Sequence, residues 1–239
     1  MKKKIAIIHY NTPELTEGCI KSLRKTGCDW PIIMLDNSDK RPLKKRMKGV
    51  KRIDNTKGQV IDFEKELEKF PDRQAVYLKL SNYGSAKHMM SVQKLWELIP
   101  EGFILVESDI LVRQDITFLW QEEYASVGRI QRPSSYPHNI PRMLPMLCYM
   151  NVPLLTANGA RYFDPERTFG LLKDRNCRGN WYDTGAVMLE DIISTKPALV
   201  ALSYGKLSRR YVHYRHGSWA DGETVEKQKR WLQLYSDLW

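Results

Sequence analysis

The chain is poor in the features that would place it quickly. Four cysteines in 239 residues, none in a C-x-x-C pair, exclude a zinc ribbon or thioredoxin motif. Cys19, Cys28, Cys148 and Cys177 read instead as buried or incidental thiols. No apolar run approaches the roughly 18 residues of a membrane-spanning helix. Met1 to Lys4 is basic like a signal peptide, but only Ile5 to Ile8 follow as an apolar stretch. A secretory h-region needs roughly 7–15 such residues, so a cytoplasmic chain is expected. Also missing are a G-x-G-x-x-G after the first strand, a P-loop, H-E-x-x-H and G-x-S-x-G. Their absence disfavours dinucleotide enzymes, P-loop NTPases, zincins and α/β-hydrolases. Neither repeats nor low-complexity tracts occur.

What is present builds a core and carries positive charge. Hydrophobic residues make up 42% and charged residues 28%, with a formal net charge of +10. Residues 1–52 hold 14 basic and 5 acidic side chains, so most of the excess lies there. The densest run, Lys40 to Arg52, contains no acid, and Tyr204 to Trp219 is a second stretch that is basic and rich in aromatics. Such stretches attract nucleotides, nucleic acid or anionic lipid, or serve only as solvated loops.

Ile5 to His9 reads as a strand buried on both faces. Thr12-Pro13-Glu14 then offers an N-cap, a proline at the first helical position and an acid in the first turn. Leu15, Cys19, Ile20 and Leu23 follow at helical spacing, and Gly27 ends the helix. With the strand Pro31 to Leu35, this makes a strand–helix–strand unit of a parallel α/β sheet. A third strand is predicted at Val50 to Ile53, a helix ending before Pro71, a strand at Ala75 to Leu80 and a helix over Ser85 to Ile99. That last helix turns Met89, Gln93, Trp96 and Ile99 to one face as core packing. Phe103 to Val106 is another buried strand. After residue 128 the prolines at 133, 137, 141, 145 and 153 break the pattern, and residues 129–219 read as an irregular acceptor-side part. Glu223 to Trp239 reads as a terminal helix. The division expected is one domain, 1–115 binding the donor and 116–239 facing the acceptor.

Candidate chemistry gathers at the carboxyl ends of the strands, where open α/β sheets bind ligands. Glu107-Ser108-Asp109 follows the strand Phe103–Val106, and two carboxylates so placed suit Mg²⁺ or Mn²⁺ with substrate phosphates completing the shell. An acidic strand end capping a turn is the plainer alternative. Asp36-Asn37-Ser38-Asp39 closes the second strand, as a base or ribose contact or as an Asx turn. Asn11-Thr12 closes the first. Three polar strand ends on one rim outline a crevice of nucleotide size.

The order of these pieces resembles the family 2 glycosyltransferases of the GT-A fold. Ile5–Asn11, Thr12-Pro13-Glu14-Leu15, Cys19-Ile20-Lys21-Ser22-Leu23 and Leu35-Asp36-Asn37-Ser38 resemble that family's opening. Asn82-Tyr83-Gly84 is similar to its N-x-G segment, and Val106-Glu107-Ser108-Asp109 stands where it has D-x-D. The resemblance implies a GT-A fold, a nucleotide-sugar donor, most simply a UDP-sugar, and Mn²⁺ or Mg²⁺. By the same resemblance Thr12 and Asp36 contact the nucleoside, beside Asn11, Asn37, Asn82 and Ser108. Asp109 binds the metal, while Glu107, in place of the usual first Asp, reaches ribose or metal. His213 completes the metal shell, with His216 as competitor. Inverting enzymes of this type use a carboxylate base, here Asp183 in Tyr182-Asp183-Thr184-Gly185 or else Asp191 in Glu190-Asp191. Asp183 as a plain helix cap is the alternative.

The reading is therefore a metal-dependent, inverting hexosyltransferase without a membrane span. Its acceptor would be a glycan or a lipid-linked glycan, or DNA carrying hydroxymethylated bases, given the basic stretches. A non-catalytic nucleic-acid-binding protein is the competing class. It predicts that Asp109→Ala leaves nucleic-acid binding unchanged or improved and that no sugar nucleotide binds. A nucleotidyltransferase is disfavoured, since His9-Tyr10-Asn11-Thr12-Pro13 stands where its Gly-rich, Lys-bearing loop belongs.

Overall fold

The computed structural model describes residues 2–69, 83–131, 140–170, 182–195, 199–201, 204–214 and 225–239. Strand β1 (Ile5–His9), helix α1 (Pro13–Lys25) and strand β2 (Ile32–Asp36) form the expected opening unit. Pro13 occupies the first turn of α1, but the Thr12 side chain makes no capping bond. Strand β3 (Val50–Asp54) and helix α2 (Phe63–Glu68) follow, then helix α3 (Tyr83–Leu98) and strand β4 (Phe103–Glu107). The strand predicted at Ala75–Leu80 lies outside the described residues.

The second half adds strands β5 (Ile110–Val112), β6 (Ser126–Gly128), β7 (Ile130–Gln131), β8 (Arg142–Met143) and β9 (Leu147–Met150). Helices α4 (Val152–Ala157), α5 (Pro165–Gly170) and α6 (Ala186–Thr195) come next. Strand β10 (Leu199–Ala201), helix α7 (Tyr204–Ser208), strand β11 (Tyr211–His213) and helix α8 (Val225–Leu234) complete the order.

Seven strands form one sheet in the order β10-β6-β9-β4-β1-β2-β3. The central pairs β1–β2, β1–β4 and β2–β3 are parallel, as are β10 and β6, while β9 runs antiparallel to both β4 and β6. Residues 129–219, expected to be irregular, thus supply two strands, β9 and β10, to the same sheet. Side chains alternate across it with the two-residue period of a pleated strand. Ile5, Ile7, Ile104 and Val106 pack toward Cys19, Ile20 and Leu23 of α1. Ala6, Leu35 and Leu105 face the other layer, with Met89 and Trp96 of α3 and Met188 and Ile192 of α6. Gln93, expected in this core, instead uses Oε1 to accept from the main-chain N–H groups of Tyr162 (2.7 Å) and Phe163 (3.2 Å).

A third, smaller cluster joins Leu15 of α1, Leu111 of β5, Tyr214 and Leu232 of α8, with Trp231, Tyr235 and Trp239 packed against it. The fit is close: a Cβ on Gly18 would stand 2.7 Å from Leu232 Cδ2. Strands β5 and β11 form a separate antiparallel pair on this cluster.

Candidate active site

β4 ends at Glu107, and Ser108-Asp109 turn the chain into β5. Antiparallel pairing then sets His213 opposite Ile110. The Tyr214 N–H donates to the Asp109 carbonyl at 2.9 Å. Backbone pairing therefore delivers His213 to the two acids, with its Nε2 3.4 Å from Asp109 Oδ2 and 3.8 Å from Glu107 Oε2. One ligand atom from each of the three lies within 4.8 Å of the others. An ion bound at about 2.1 Å places neighbouring donors roughly 3.0 Å apart and opposite donors roughly 4.2 Å apart. The two separations from His213 fall between those values. Two carboxylates with one imidazole form a donor set that suits Mn²⁺ or Mg²⁺.

Electrostatics agree with that fit. Burial first, and the Asp109 carboxylate second, push Glu107 up to about 8, against the opposing pull of His213 and Arg142. A proton or a cation relieves this repulsion. His216 and Asn82 lie outside the described residues; Ser108 is buried within the turn.

The rim over β1 and β2 is knitted from its own polar groups. Asn11 holds the left-handed conformation at φ 55°. Its Oδ1 accepts from the N–H groups of Lys40 and Arg41 at 3.0 and 2.9 Å, and its Nδ2 donates to Asp39. Asn37 donates to Ser91 Oγ on α3 at 2.8 Å and accepts from Asn55 at 2.9 Å. Asp36 is fully buried, accepting from the N–H groups of Ser38 and Leu43 and pairing with Arg52 Nε at 2.9 Å. It thus holds the loop after β2 from inside. Thr12 is buried, and its carbonyl accepts from the N–H and hydroxyl of Thr16.

The two carboxylates considered as a base stand in different settings. Asp183 is buried and ion-paired to Arg142, whose Nη1 also lies 3.2 Å from Thr184 Oγ1 and whose Nε donates to Gln131 at 2.8 Å. The other oxygen of Asp183 accepts from the Thr184 N–H at 2.7 Å. Gly185 makes the bend possible, with φ +81° and a Cβ position that would overlap the Met143 carbonyl oxygen. Asp191, on α6, is clasped by both Nη atoms of Arg167 at 2.7 and 3.1 Å and accepts from the Arg161 N–H at 2.9 Å. Arg142, the partner of Asp183, also acts electrostatically on Glu107.

Two residues with electrostatic influence on this region escaped the sequence reading. Arg142 is a lone charge in the apolar, proline-broken segment Ile140–Leu147, and that contrast was the only signal. His88 sits on α3 within electrostatic reach of both Asp109 and Arg142, and burial pushes it down to about 4. Its own segment, Lys87-His88-Met89, carried no motif.

No family model matches the chain, and no curated protein matches it. Among solved structures it is similar to the galactosyltransferase LgtC in complex with donor and acceptor sugar analogues. The TM-score is 0.55 at 13% identity, over 98% of this chain and 95% of that one. An active-site mutant of LgtC gives a TM-score of 0.51 at 11% identity, with the same coverage. The chain has the GT-A fold. It shares with those structures an architecture over nearly its whole length.

Proposed function

We propose that the chain is a hexosyltransferase moving a sugar from a nucleotide-sugar, read as a UDP-sugar, to an acceptor hydroxyl. The observation that carries this reading is the meeting of Glu107, Asp109 and His213 at the carboxyl edge of a GT-A sheet. These three would hold Mn²⁺ or Mg²⁺, which when bound supplies positive charge against the departing diphosphate. The loop held by Asn11, Asp36 and Asn37 would form the nucleoside end of the crevice. Asp183 would take the acceptor proton as the hydroxyl attacks, with Arg142 and the Thr184 N–H holding the carboxylate in place. A single displacement of that kind inverts the anomeric centre.

The test is calorimetric titration of UDP, GDP and their sugars, with and without Mn²⁺, into wild type and Asp109→Ala. Metal-dependent binding that vanishes in the variant supports the donor site; no nucleotide binding under any metal condition removes it. NMR of the product then reads the anomer, and a retained configuration removes Asp183 from the role of base.

The exposed side chains of Lys40, Lys44, Arg46, Lys48 and Lys51 favour an anionic acceptor. The acceptor screen therefore includes lipid-linked glycans and hydroxymethylated DNA beside neutral glycans. Steep salt dependence would mark a polyanion.

A further inference from the structure

Between β2 and β3 the chain returns to the start of a parallel strand without a helix, as a strap laid along α1. Three contacts set its course. Arg41 Nη2 pairs with Glu14 Oε1 at 2.6 Å, Lys45 Nζ pairs with Glu17 Oε1 at 2.6 Å, and Arg24 Nη2 donates to the Gly49 carbonyl at 3.3 Å. The strap therefore runs beside α1 from its first turn to its last, and Glu14 to Arg24 spans a rise of about 15 Å. Leu43 and Met47 fill the space beneath, against the cluster that holds Cys19, Ile20 and Leu23.

These contacts sort the side chains of the strap. Arg41, Leu43, Lys45 and Met47, the odd-numbered residues, turn to α1, where Glu14 and Glu17 neutralise the two cations. The even-numbered Lys40, Lys44, Arg46 and Lys48 are exposed, and none of them pairs with an acid among the described residues. α1 has no third acid to neutralise this outer row. One end of the row is the rim of the crevice, where the N–H groups of Lys40 and Arg41 donate to Asn11 Oδ1 at 3.0 and 2.9 Å. The other end lies by Gly49, before β3 begins at the opposite edge of the sheet.

A row of unneutralised cations leading away from a crevice suits a linear polyanion. The composition of the strap narrows the class. Single-stranded nucleic acid is held by aromatic stacking as well as by charge, and Lys40 to Arg52 contains no aromatic residue. A bilayer surface is gripped by apolar side chains inserted beside the cations. The large hydrophobic residues exposed among those described, Leu98, Ile193 and Leu234, all lie elsewhere. We propose that the row binds an anionic polysaccharide acceptor, whose carboxylates meet Lys40, Lys44, Arg46 and Lys48 while its end lies in the crevice. That the polysaccharide is an acceptor rests on the donor-site reading above; that the row binds it does not.

The test is calorimetric titration of an oligogalacturonate, a linear uronic-acid chain, into wild type and two variants. Lys44→Glu/Arg46→Glu/Lys48→Glu reverses the row, and Lys227→Glu/Lys229→Glu/Arg230→Glu makes the same change in net charge on α8. All six side chains are exposed, and thermal melting checks that both variants fold. If the first does not, the three corresponding glutamine substitutions make the same comparison. The expected result is salt-dependent binding by wild type, at least about tenfold weaker in the row variant and within about threefold in the α8 variant. No binding by wild type, or an equal loss in both variants, overturns the proposal. An oligothymidylate of equal charge that binds more than about tenfold tighter would assign the row to nucleic acid and overturn it too. Capture by phosphatidylglycerol vesicles without binding of the oligogalacturonate would do the same in favour of a bilayer. Titration of UDP with Mn²⁺ into the same wild type separates the two readings. UDP bound without the oligosaccharide removes the row and spares the donor site; the oligosaccharide bound without UDP removes the donor site and spares the row.

Discussion

The Tyr214 N–H donates to the Asp109 carbonyl at 2.9 Å, and this one main-chain bond extends the β5–β11 pairing to the residue that follows His213. Histidine and aspartate are therefore held in register by backbone, with their side chains 3.4 Å apart. Asp109→Asn keeps that backbone and removes one of two mutually repelling carboxylates. The metal-free variant should melt at or slightly above wild type, by about 1 kcal/mol of stability at most. The rise in melting temperature that Mn²⁺ gives wild type should disappear. Thermal melts with and without the ion read both effects.

Glu107 supplies a pH dependence whose sign is fixed. Its folded value, pushed up to about 8, stands above the ordinary 4.5, so between those values the folded chain binds more protons than the unfolded one. Stability of the metal-free protein should fall as pH rises through that window, by up to roughly a few kcal/mol. Metal and proton compete for the same carboxylate, so Mn²⁺ affinity should rise over the same range. Denaturant titrations at about pH 5.5, 7 and 8.5, with and without Mn²⁺, measure the two slopes.

Arg142 and Asp183 form a buried pair, and removing one partner strands the other. Arg142→Met should cost about 3–5 kcal/mol in urea unfolding, since an unpaired carboxylate is left inside. Asp183→Asn is milder, because the amide oxygen can still accept from Arg142. It should lower turnover about 10²–10⁴-fold while leaving UDP binding near wild type, if the carboxylate is the base. Intact turnover in that variant would sink the assignment.

Gly185→Ala tests the bend that aims Asp183. With φ at +81° and the new Cβ overlapping the Met143 oxygen, the backbone must move. A loss of about 2–4 kcal/mol is expected from strain and displacement together. Transfer activity should fall further than stability predicts, because Asp183 moves with the bend.

Several parts of this arrangement were legible from residue order alone. Ile5–His9 and Phe103–Val106 read as buried strands because both faces are apolar, and their carboxyl ends located Asn11, Glu107 and Asp109 on one rim. Helical spacing placed Met89 and Trp96 in the core. The same spacing leaves position 88 on the flank, where a polar residue looks unremarkable, so nothing marked His88 as lying within electrostatic reach of Asp109. Arg142 belongs to a strand of two residues, too short for any period to show. Asp36 looked like a ligand contact by its place after a strand. Its full burial follows from a loop that folds back over it, through Ser38 and Leu43, and from Arg52 one strand away. Such contacts depend on tertiary closure, which local pattern does not carry.

The acidic pair and the histidine are separated by about a hundred residues, and a ribosome presents them at different times. At roughly 5–20 residues per second, the emerging chain exposes Glu107 and Asp109 for several seconds before His213 exists. β11 then needs α8, whose Leu232 packs with Leu111 and Tyr214 in the cluster behind it. Assembly of the three-residue cluster is thus a late event in biosynthesis, and a chain cut short before Val225 would carry both carboxylates without the support that holds His213 against them.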